Sequence, residues 1–185
     1  ALQNGYGMTE ATAGICATKN AVPGDPDTST GPPLPGVEIK IDEAVQGGGG
    51  GLGEVLLRGP NVMLGYYRNA EETGKVLDAQ GWLRSGDLGR VDERGFLHIE
   101  GRAKELIIHG GFNVFPPEVE AALNAHPQVV QSAVIGRWNG QDEEVLGFVE
   151  VSAQDRPEEK DLARFVRQQL AAYKCPSRIL LVEKL

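Results

Sequence analysis

Glycine and proline divide this sequence into short segments, and that division limits the available folds more than any other feature. The 185 residues include 25 glycines and 11 prolines, which favour turns and interrupt regular elements. The run AVPGDPDTSTGPPLPG at 21–36 is expected to be irregular surface. The run QGGGGGLG at 46–53 fits a loose turn better than a phosphate loop, because the pattern of a strand follows it instead of a helix.

Residues 31–101 have the pattern of antiparallel strands. VEIKI alternates apolar and polar residues and EVLLRG follows the glycine run, so 37–59 is predicted to be a hairpin. A second hairpin is predicted over 88–101, turning at DERG. One short helix is predicted over 69–77, with Asn69 as its N-cap.

Residues 105–185 mix the two element types. ELIIHGG and FNVFP predict short strands around a Gly-Gly turn, and PPEVEAALNAHP predicts a helix with proline in its first turn. VVQSAVIG, EEVLGFVEV and RILLVEKL read as strands, and EEKDLARFVRQQLA reads as a helix. We therefore predict an α+β fold, in which an antiparallel β-rich subdomain is followed by a small α+β domain, with a boundary near 101–105.

Charge and composition restrict the partners and the compartment. The net charge of −8 argues against a nucleic-acid-binding surface, and no apolar run is long enough for a transmembrane segment. Cys16 and Cys175 are far apart and lack metal-ligand spacing, which favours a reducing, cytoplasmic compartment. The three histidines also lack the spacing of a metal site.

The first cluster of polar residues is YGMTE. The Thr9 hydroxyl could contact a phosphate, and the Glu10 carboxylate could hold Mg²⁺, which binds few carboxylates and takes phosphate oxygens as further ligands. Tyr6 beside Gly7 could stack on a base. The alternative is a tight turn in which Thr9 caps a helix.

The second cluster is GWLRSGDLG at 81–89. Asp87 could accept hydrogen bonds from both hydroxyls of a ribose, or it could close an Asx turn.

The third cluster is GRAKELIIHGGFNVFPPEVE, where the two sequence patterns meet. Arg102 and Lys104 could clamp a ligand or lie in a solvated linker. Gly110 and Gly111 could allow a thin ligand to pass close to the backbone, or they could form a plain hairpin turn.

Taken together and in this order, YGMTE, SGDL and GRAKELIIHGGFNVFPPEVE resemble three motifs of the adenylate-forming superfamily. That superfamily includes acyl-CoA synthetases, the adenylation domains of peptide synthetases, and luciferases. The third motif resembles the acyl-CoA synthetases most, which favours an acid:CoA ligase. A peptide-synthetase adenylation domain that loads a carrier protein, and a non-catalytic module that binds nucleotide or CoA, are the alternatives.

The resemblance implies both a domain plan and a chemistry. Residues 1–101 would be the C-terminal portion of the large adenylate-binding domain, 102–104 a hinge, and 105–185 the small mobile domain. A carboxylic acid, ATP, Mg²⁺ and coenzyme A would be used. The acid becomes an acyl-adenylate with release of pyrophosphate, and the acyl group then passes to the thiol of coenzyme A.

The resemblance also assigns roles to individual residues. Glu10 would hold Mg²⁺ and Lys104 would be the hinge residue. Tyr6 would lie against adenine, Thr9 would contact phosphate, and Asp87 would bind the ribose with help from Arg102. The ATP- and AMP-binding positions are Tyr6, Gly7, Thr9, Asp87 and Arg102. The positions that would meet the pantetheine or nucleotide of coenzyme A are Gly110, Gly111, Tyr173 and Lys174.

Two motifs of the resembled family are expected outside residues 1–185: the phosphate loop upstream and the catalytic-lysine motif after Leu185. We therefore expect no catalytic residue in this chain and negligible adenylation by the chain alone. Residues 1–30 are expected to be loosely held or to drive self-association, and a homodimer is a possible assembly.

Overall fold

The structure is a computed structural model that describes residues 3–18, 28–152 and 156–185. The chain forms two compact units, Ala1–Ala103 and Lys104–Leu185. No helix in the described ranges is long and apolar enough to cross a membrane.

The first unit is built on antiparallel strands, as the two predicted hairpins require. Its sheet has the order β3-β4-β5-β6, and β1 and β2 form a separate two-stranded ladder. The helix α1 lies between β4 and β5 in the chain. The bounds are β1 Gly5–Tyr6, β2 Cys16–Ala17, β3 Glu38–Asp42, β4 Gly53–Arg58, α1 Ala70–Val76, β5 Leu83–Val91 and β6 Leu97–Arg102.

The hydrophobic pattern of β4 explains its central position in that sheet. Val55, Leu56 and Leu57 are consecutive and all buried, so both faces of this strand are covered. Other members of the same core come from the start of the chain, from β5 and from β6. The buried core residues are Ala11, Ile15, Cys16, Val55, Leu57, Leu83 and Leu97.

Local capping fixes the predicted helix and the second hairpin. The Asn69 side chain accepts a hydrogen bond from the backbone N–H of Glu72, which confirms the predicted N-cap of α1. The hairpin β5–β6 turns through DERG, where the Asp92 carboxylate accepts hydrogen bonds from the backbone N–H groups of Arg94 and Phe96.

The described start of the chain is packed, which corrects the expectation that 1–30 are loosely held. Ala11 and Ile15 are fully buried, and the backbone N–H of Thr18 donates to the carbonyl of Asn4. The backbone N–H of Thr30 donates to the Leu97 carbonyl of β6. Residues 1–2 and 19–27 lie outside the described residues. They include the rest of the segment 1–30 and much of the run at 21–36 that was expected to be irregular surface.

The second unit packs two helices against a small mixed sheet. The sheet has the order β11-β10-β9, with β9 antiparallel and β11 parallel to β10, while β7 and β8 pair as a hairpin. The bounds are β7 Ile107–His109, β8 Phe112–Val114, α2 Pro116–Asn124, β9 Val129–Trp138, β10 Glu143–Val151, α3 Glu159–Arg167 and β11 Arg178–Val182.

The core of the second unit follows from the 3.6-residue periodicity of its helices. Val119, Ala122 and Leu123 of α2 and Leu162 and Val166 of α3 are buried. They pack with strand residues Ile107, Val114, Val134, Val145, Val149 and Ile179. The mixed α+β architecture with sheet-rich units confirms the predicted fold class.

Candidate functional site

Asp87 is the centre of a polar cluster in the first unit. Its Oδ2 accepts a hydrogen bond from the Tyr6 hydroxyl at 2.5 Å, and the Arg102 Nε lies 3.6 Å from its Oδ1. Pairing of β5 with β6 sets Asp87 directly opposite Arg102. The structure thus brings together three residues that are 81 and 15 positions apart in the sequence. The alternative, a carboxylate that only closes an Asx turn, does not describe these contacts.

Burial differs sharply between the two charged members of this cluster. The Asp87 side chain is 15% exposed, whereas that of Arg102 is 72% exposed. Burial, followed by the hydrogen bond to Asp87, raises the pKa of the Tyr6 hydroxyl above its ordinary value. The Tyr6 hydroxyl therefore remains protonated at neutral pH and acts as a hydrogen-bond donor. The other oxygen of the Asp87 carboxylate faces the exposed guanidinium of Arg102.

The loop that follows Tyr6 is compact. A Cβ added to Gly7 would lie 1.3 Å from the carbonyl oxygen of Ala13, so close backbone contact requires glycine there. Thr9 begins a 3-10 turn over Thr9–Ala11, and Met8 occupies the cap position without a side-chain hydrogen bond. The interpretation of Thr9 as a helix cap is therefore wrong, and its side chain is exposed.

Asn61 holds this loop in place. Its Nδ2 donates to the backbone carbonyl oxygens of Ala11 at 3.1 Å and Gly14 at 2.8 Å, and the backbone carbonyl of Asn61 accepts from the Thr12 hydroxyl at 2.8 Å. Sequence reasoning missed Asn61, since no spacing links it to a loop about fifty residues earlier.

Glu10 has a partner that the sequence did not reveal. The Tyr66 hydroxyl donates to Glu10 Oε1 at 2.9 Å, and this hydrogen bond raises the pKa of Tyr66. Within the described residues, no group of three or more acidic, histidine or cysteine side chains is arranged to hold a metal. A single carboxylate fits Mg²⁺ only where phosphate oxygens and water supply its other ligands.

The predicted coenzyme A residues cluster at the β7–β8 hairpin of the second unit. Gly110 and Gly111 form its turn with φ of 60° and 80°, a conformation that by itself explains glycine at both positions. Tyr173 stacks on Phe112, the residue after this turn, with ring centroids 4.7 Å apart. The Asp142 carboxylate accepts a hydrogen bond from the Gly110 N–H at 2.6 Å and thereby fixes the turn.

Two predicted cationic residues differ in their surroundings. Lys174 donates to both carboxylate oxygens of Glu118 at 2.7 Å, and its side chain is only 20% exposed. Its charge is therefore already paired within the unit. Lys104 is exposed in the 3-10 turn Ala103–Glu105.

Both units of the chain match models of known protein families. The model described as AMP-binding enzyme matches residues 1–67, and the model described as AMP-binding enzyme C-terminal domain matches residues 118–185. The chain belongs to the AMP-binding enzyme family.

Curated relatives and solved structures align over nearly the whole chain. A 3-[(3aS,4S,7aS)-7a-methyl-1,5-dioxo-octahydro-1H-inden-4-yl]propanoyl:CoA ligase of Rhodococcus jostii is 39% identical over 100% of this chain and 35% of its own length. A long-chain-fatty-acid–CoA ligase of Escherichia coli O157:H7 is 38% identical over 96% of this chain and 32% of its own length.

The o-succinylbenzoate coenzyme A synthetase of Bacillus subtilis, solved in complex with ATP and magnesium ion, superposes with a TM-score of 0.89. It is 31% identical, and the match covers 99% of this chain and 38% of that structure. The chain spans about a third of the length of the curated relatives that it matches.

Proposed function

We propose that this chain forms part of an ATP-dependent acid:CoA ligase. The whole protein would activate a carboxylic acid as an acyl-adenylate, release pyrophosphate and transfer the acyl group to coenzyme A. The observation that carries this proposal is the Tyr6–Asp87–Arg102 cluster, which the strands β1, β5 and β6 assemble from distant positions. The relatives named above are acid:CoA ligases, which favours this activity over carrier-protein loading or a non-catalytic module.

In this proposal the Asp87 carboxylate accepts hydrogen bonds from the two ribose hydroxyls of the nucleotide. A carboxylate suits this role because a charged acceptor makes stronger hydrogen bonds than a neutral one. The Arg102 guanidinium pairs with Asp87 through Nε and is largely exposed, so its other N–H groups would bind a ligand oxygen. Tyr6 orients Asp87 through its hydroxyl and offers its ring to the adenine, and Gly7 permits the tight loop.

The phosphates and Mg²⁺ would lie towards the 3-10 turn. The exposed Thr9 hydroxyl would donate to a phosphate oxygen. Glu10 would contribute one carboxylate oxygen to Mg²⁺, and Tyr66 would keep that carboxylate oriented. The cation would neutralise phosphate charge during adenylation.

In the second unit, the β7–β8 turn would meet the thiol-bearing arm of coenzyme A. Gly110 and Gly111 would leave room for this arm. Tyr173 would lie near it, because its ring stacks on Phe112, the residue after Gly111. Lys174 would need to leave Glu118 before it could bind a phosphate of coenzyme A. The hinge role of Lys104, the inactivity of the isolated chain, a cytoplasmic location and a homodimer remain predictions.

The nucleotide site is tested first by calorimetric titration of AMP into the purified chain. We expect binding that is lost in Asp87→Ala, since the carboxylate would supply both ribose contacts. The control is Asp161→Ala, which removes an exposed carboxylate of the second unit and should bind AMP like the wild type.

The activity is tested in a chimera in which this chain replaces the matching residues of the Rhodococcus ligase. We expect AMP release that depends on both acid and coenzyme A, and its loss in the chimera that carries Asp87→Ala. A folded chimera that releases no pyrophosphate would contradict the proposed function. Turnover by the isolated chain would contradict its predicted inactivity.

A further inference from the structure

The strand that carries Asp87 bulges away from β4 just before this residue. Arg84 pairs with Leu56 and Leu88 pairs with Glu54, so residues 85–87 of β5 lie opposite the single residue Val55. On its other side, β5 pairs with β6 through Asp87 opposite Arg102 and Leu88 opposite Gly101, and the register shifts between Leu88 and Gly89. Asp87 therefore lies between an irregularity towards β4, with two extra residues in β5, and one towards β6.

A bulge of this size leaves backbone amides without ladder partners. Gly86 takes φ of 75°, a conformation that favours glycine. Its N–H donates to Glu54 Oε1 at 3.1 Å, while the Asp87 N–H donates to the Ser85 hydroxyl at 3.0 Å. A side chain from β4 thus replaces the backbone carbonyl that a regular strand would supply.

Glu54 is an unusual residue to find inside this sheet. It is 8% exposed and sits in β4 between apolar neighbours. Its other carboxylate oxygen pairs with the Arg84 guanidinium, which also contacts Asp42 at 3.2 Å. A buried carboxylate is retained without large cost only when it is paired and hydrogen-bonded, and Glu54 meets both conditions.

From this geometry we infer that Glu54 is a positioning residue for the nucleotide site, holding the bulge that presents Asp87 to a ribose. The inference rests on the proposed function of Asp87. The chain of contacts runs from the Glu54 carboxylate to the Gly86 N–H, and then through one peptide to Asp87. Glu54 itself contacts neither Tyr6 nor Arg102 in the hydrogen bonds of the described residues, so it acts through the backbone.

Two variants separate positioning from simple stability. Glu54→Gln keeps a side-chain oxygen that can accept from Gly86. The double variant Glu54→Leu/Arg84→Met removes the acceptor without leaving a buried charge unpaired. The matched control is Glu38→Leu/Arg58→Met, which removes an exposed ion pair between β3 and β4 away from the bulge.

Binding is measured by calorimetric titration of AMP. We expect Glu54→Leu/Arg84→Met to weaken AMP binding by about tenfold, the effect of losing one hydrogen bond to a charged group. Glu54→Gln and the Glu38/Arg58 control should bind AMP like the wild type. Wild-type affinity in the Glu54→Leu/Arg84→Met variant would overturn the inference.

If the wild type fails to bind AMP, that result counts against the proposed nucleotide site but does not test the role of Glu54. A measurement without ligand therefore tests the role of Glu54 separately. Amide exchange by NMR should show Gly86 protected in the wild type and in Glu54→Gln, and exposed in Glu54→Leu/Arg84→Met. The ¹³Cζ signal of Tyr6, assigned with Tyr6→Phe, reports the hydrogen bond to Asp87. This signal should shift in the double variant in the same direction as in Asp87→Ala. An unshifted Tyr6 signal would show that Asp87 keeps its place without Glu54, and the inference would fail.

Discussion

At the scale of single residues, Gly7 leaves less room for a side chain than any other glycine in the described part of the chain. A Cβ there would overlap the carbonyl of Ala13, which belongs to the returning part of the same loop. Thr12 and Ala13 already adopt left-handed φ values of 51° and 70°, so the loop has little freedom to move aside. The glycine in YGMTE is thus explained by the loop itself, whatever ligand the loop binds.

We predict that Gly7→Ala destabilises the first unit by about 1–3 kcal/mol, the usual range for forced overpacking. AMP binding should fall as well, because Tyr6 precedes the displaced loop. Urea unfolding measures the first effect and calorimetry the second. Gly74→Ala is the control: this glycine lies in α1 with nothing within 4 Å of an added Cβ, so the variant should be as stable as the wild type or more so. Equal stability of the two variants would refute the steric argument.

At the scale of elements, the β5–β6 hairpin depends on the carboxylate of Asp92. Hydrogen bonds from the backbone N–H of Phe96, then from His98 and Arg94, hold its pKa well below the ordinary value. A depressed folded-state pKa means that the unfolded chain takes up the proton first as pH falls. The contribution of Asp92 is therefore complete above about pH 4, the unfolded value, and is lost as pH falls towards the folded value.

We predict that the stability advantage of the wild type over Asp92→Asn is largest at pH 7 and smaller at pH 3. Urea midpoints of the first unit at both pH values measure it. Glu93→Gln, in the same turn but exposed, should follow the pH dependence of the wild type. An advantage that is equal at pH 7 and pH 3 would contradict this role of Asp92.

The elements were largely predictable from sequence, whereas the contacts of the site were not. Alternation in VEIKI, the DERG turn, the Asn69 cap and the Gly-Gly turn are local signals, and each predicted element is present. The bulge in β5 has no local signal, because it depends on Glu54 about thirty residues earlier. Tyr66 and Asn61 were missed for the same reason, as their partners lie about fifty residues away.

At the scale of the whole molecule, the two units bury separate cores. Every buried member of one core lies between Ala11 and Leu97, and every member of the other lies between Ile107 and Ile179. Apolar burial is the main source of folding stability. Each unit therefore holds the residues that its own stability requires, and core substitutions should act on one unit at a time.

The two tryptophans allow this separation to be measured, since Trp82 lies in the first unit and Trp138 in the second. In a Trp138→Phe background, fluorescence during urea unfolding reports the first unit, and in a Trp82→Phe background it reports the second. Leu57→Ala and Leu123→Ala each truncate a fully buried leucine, one in each core. We predict that each lowers the stability of its own unit by about 2–5 kcal/mol and leaves the other transition in place. If either substitution moved both transitions equally, the units would unfold as one cooperative body, and the two cores would not be energetically separate.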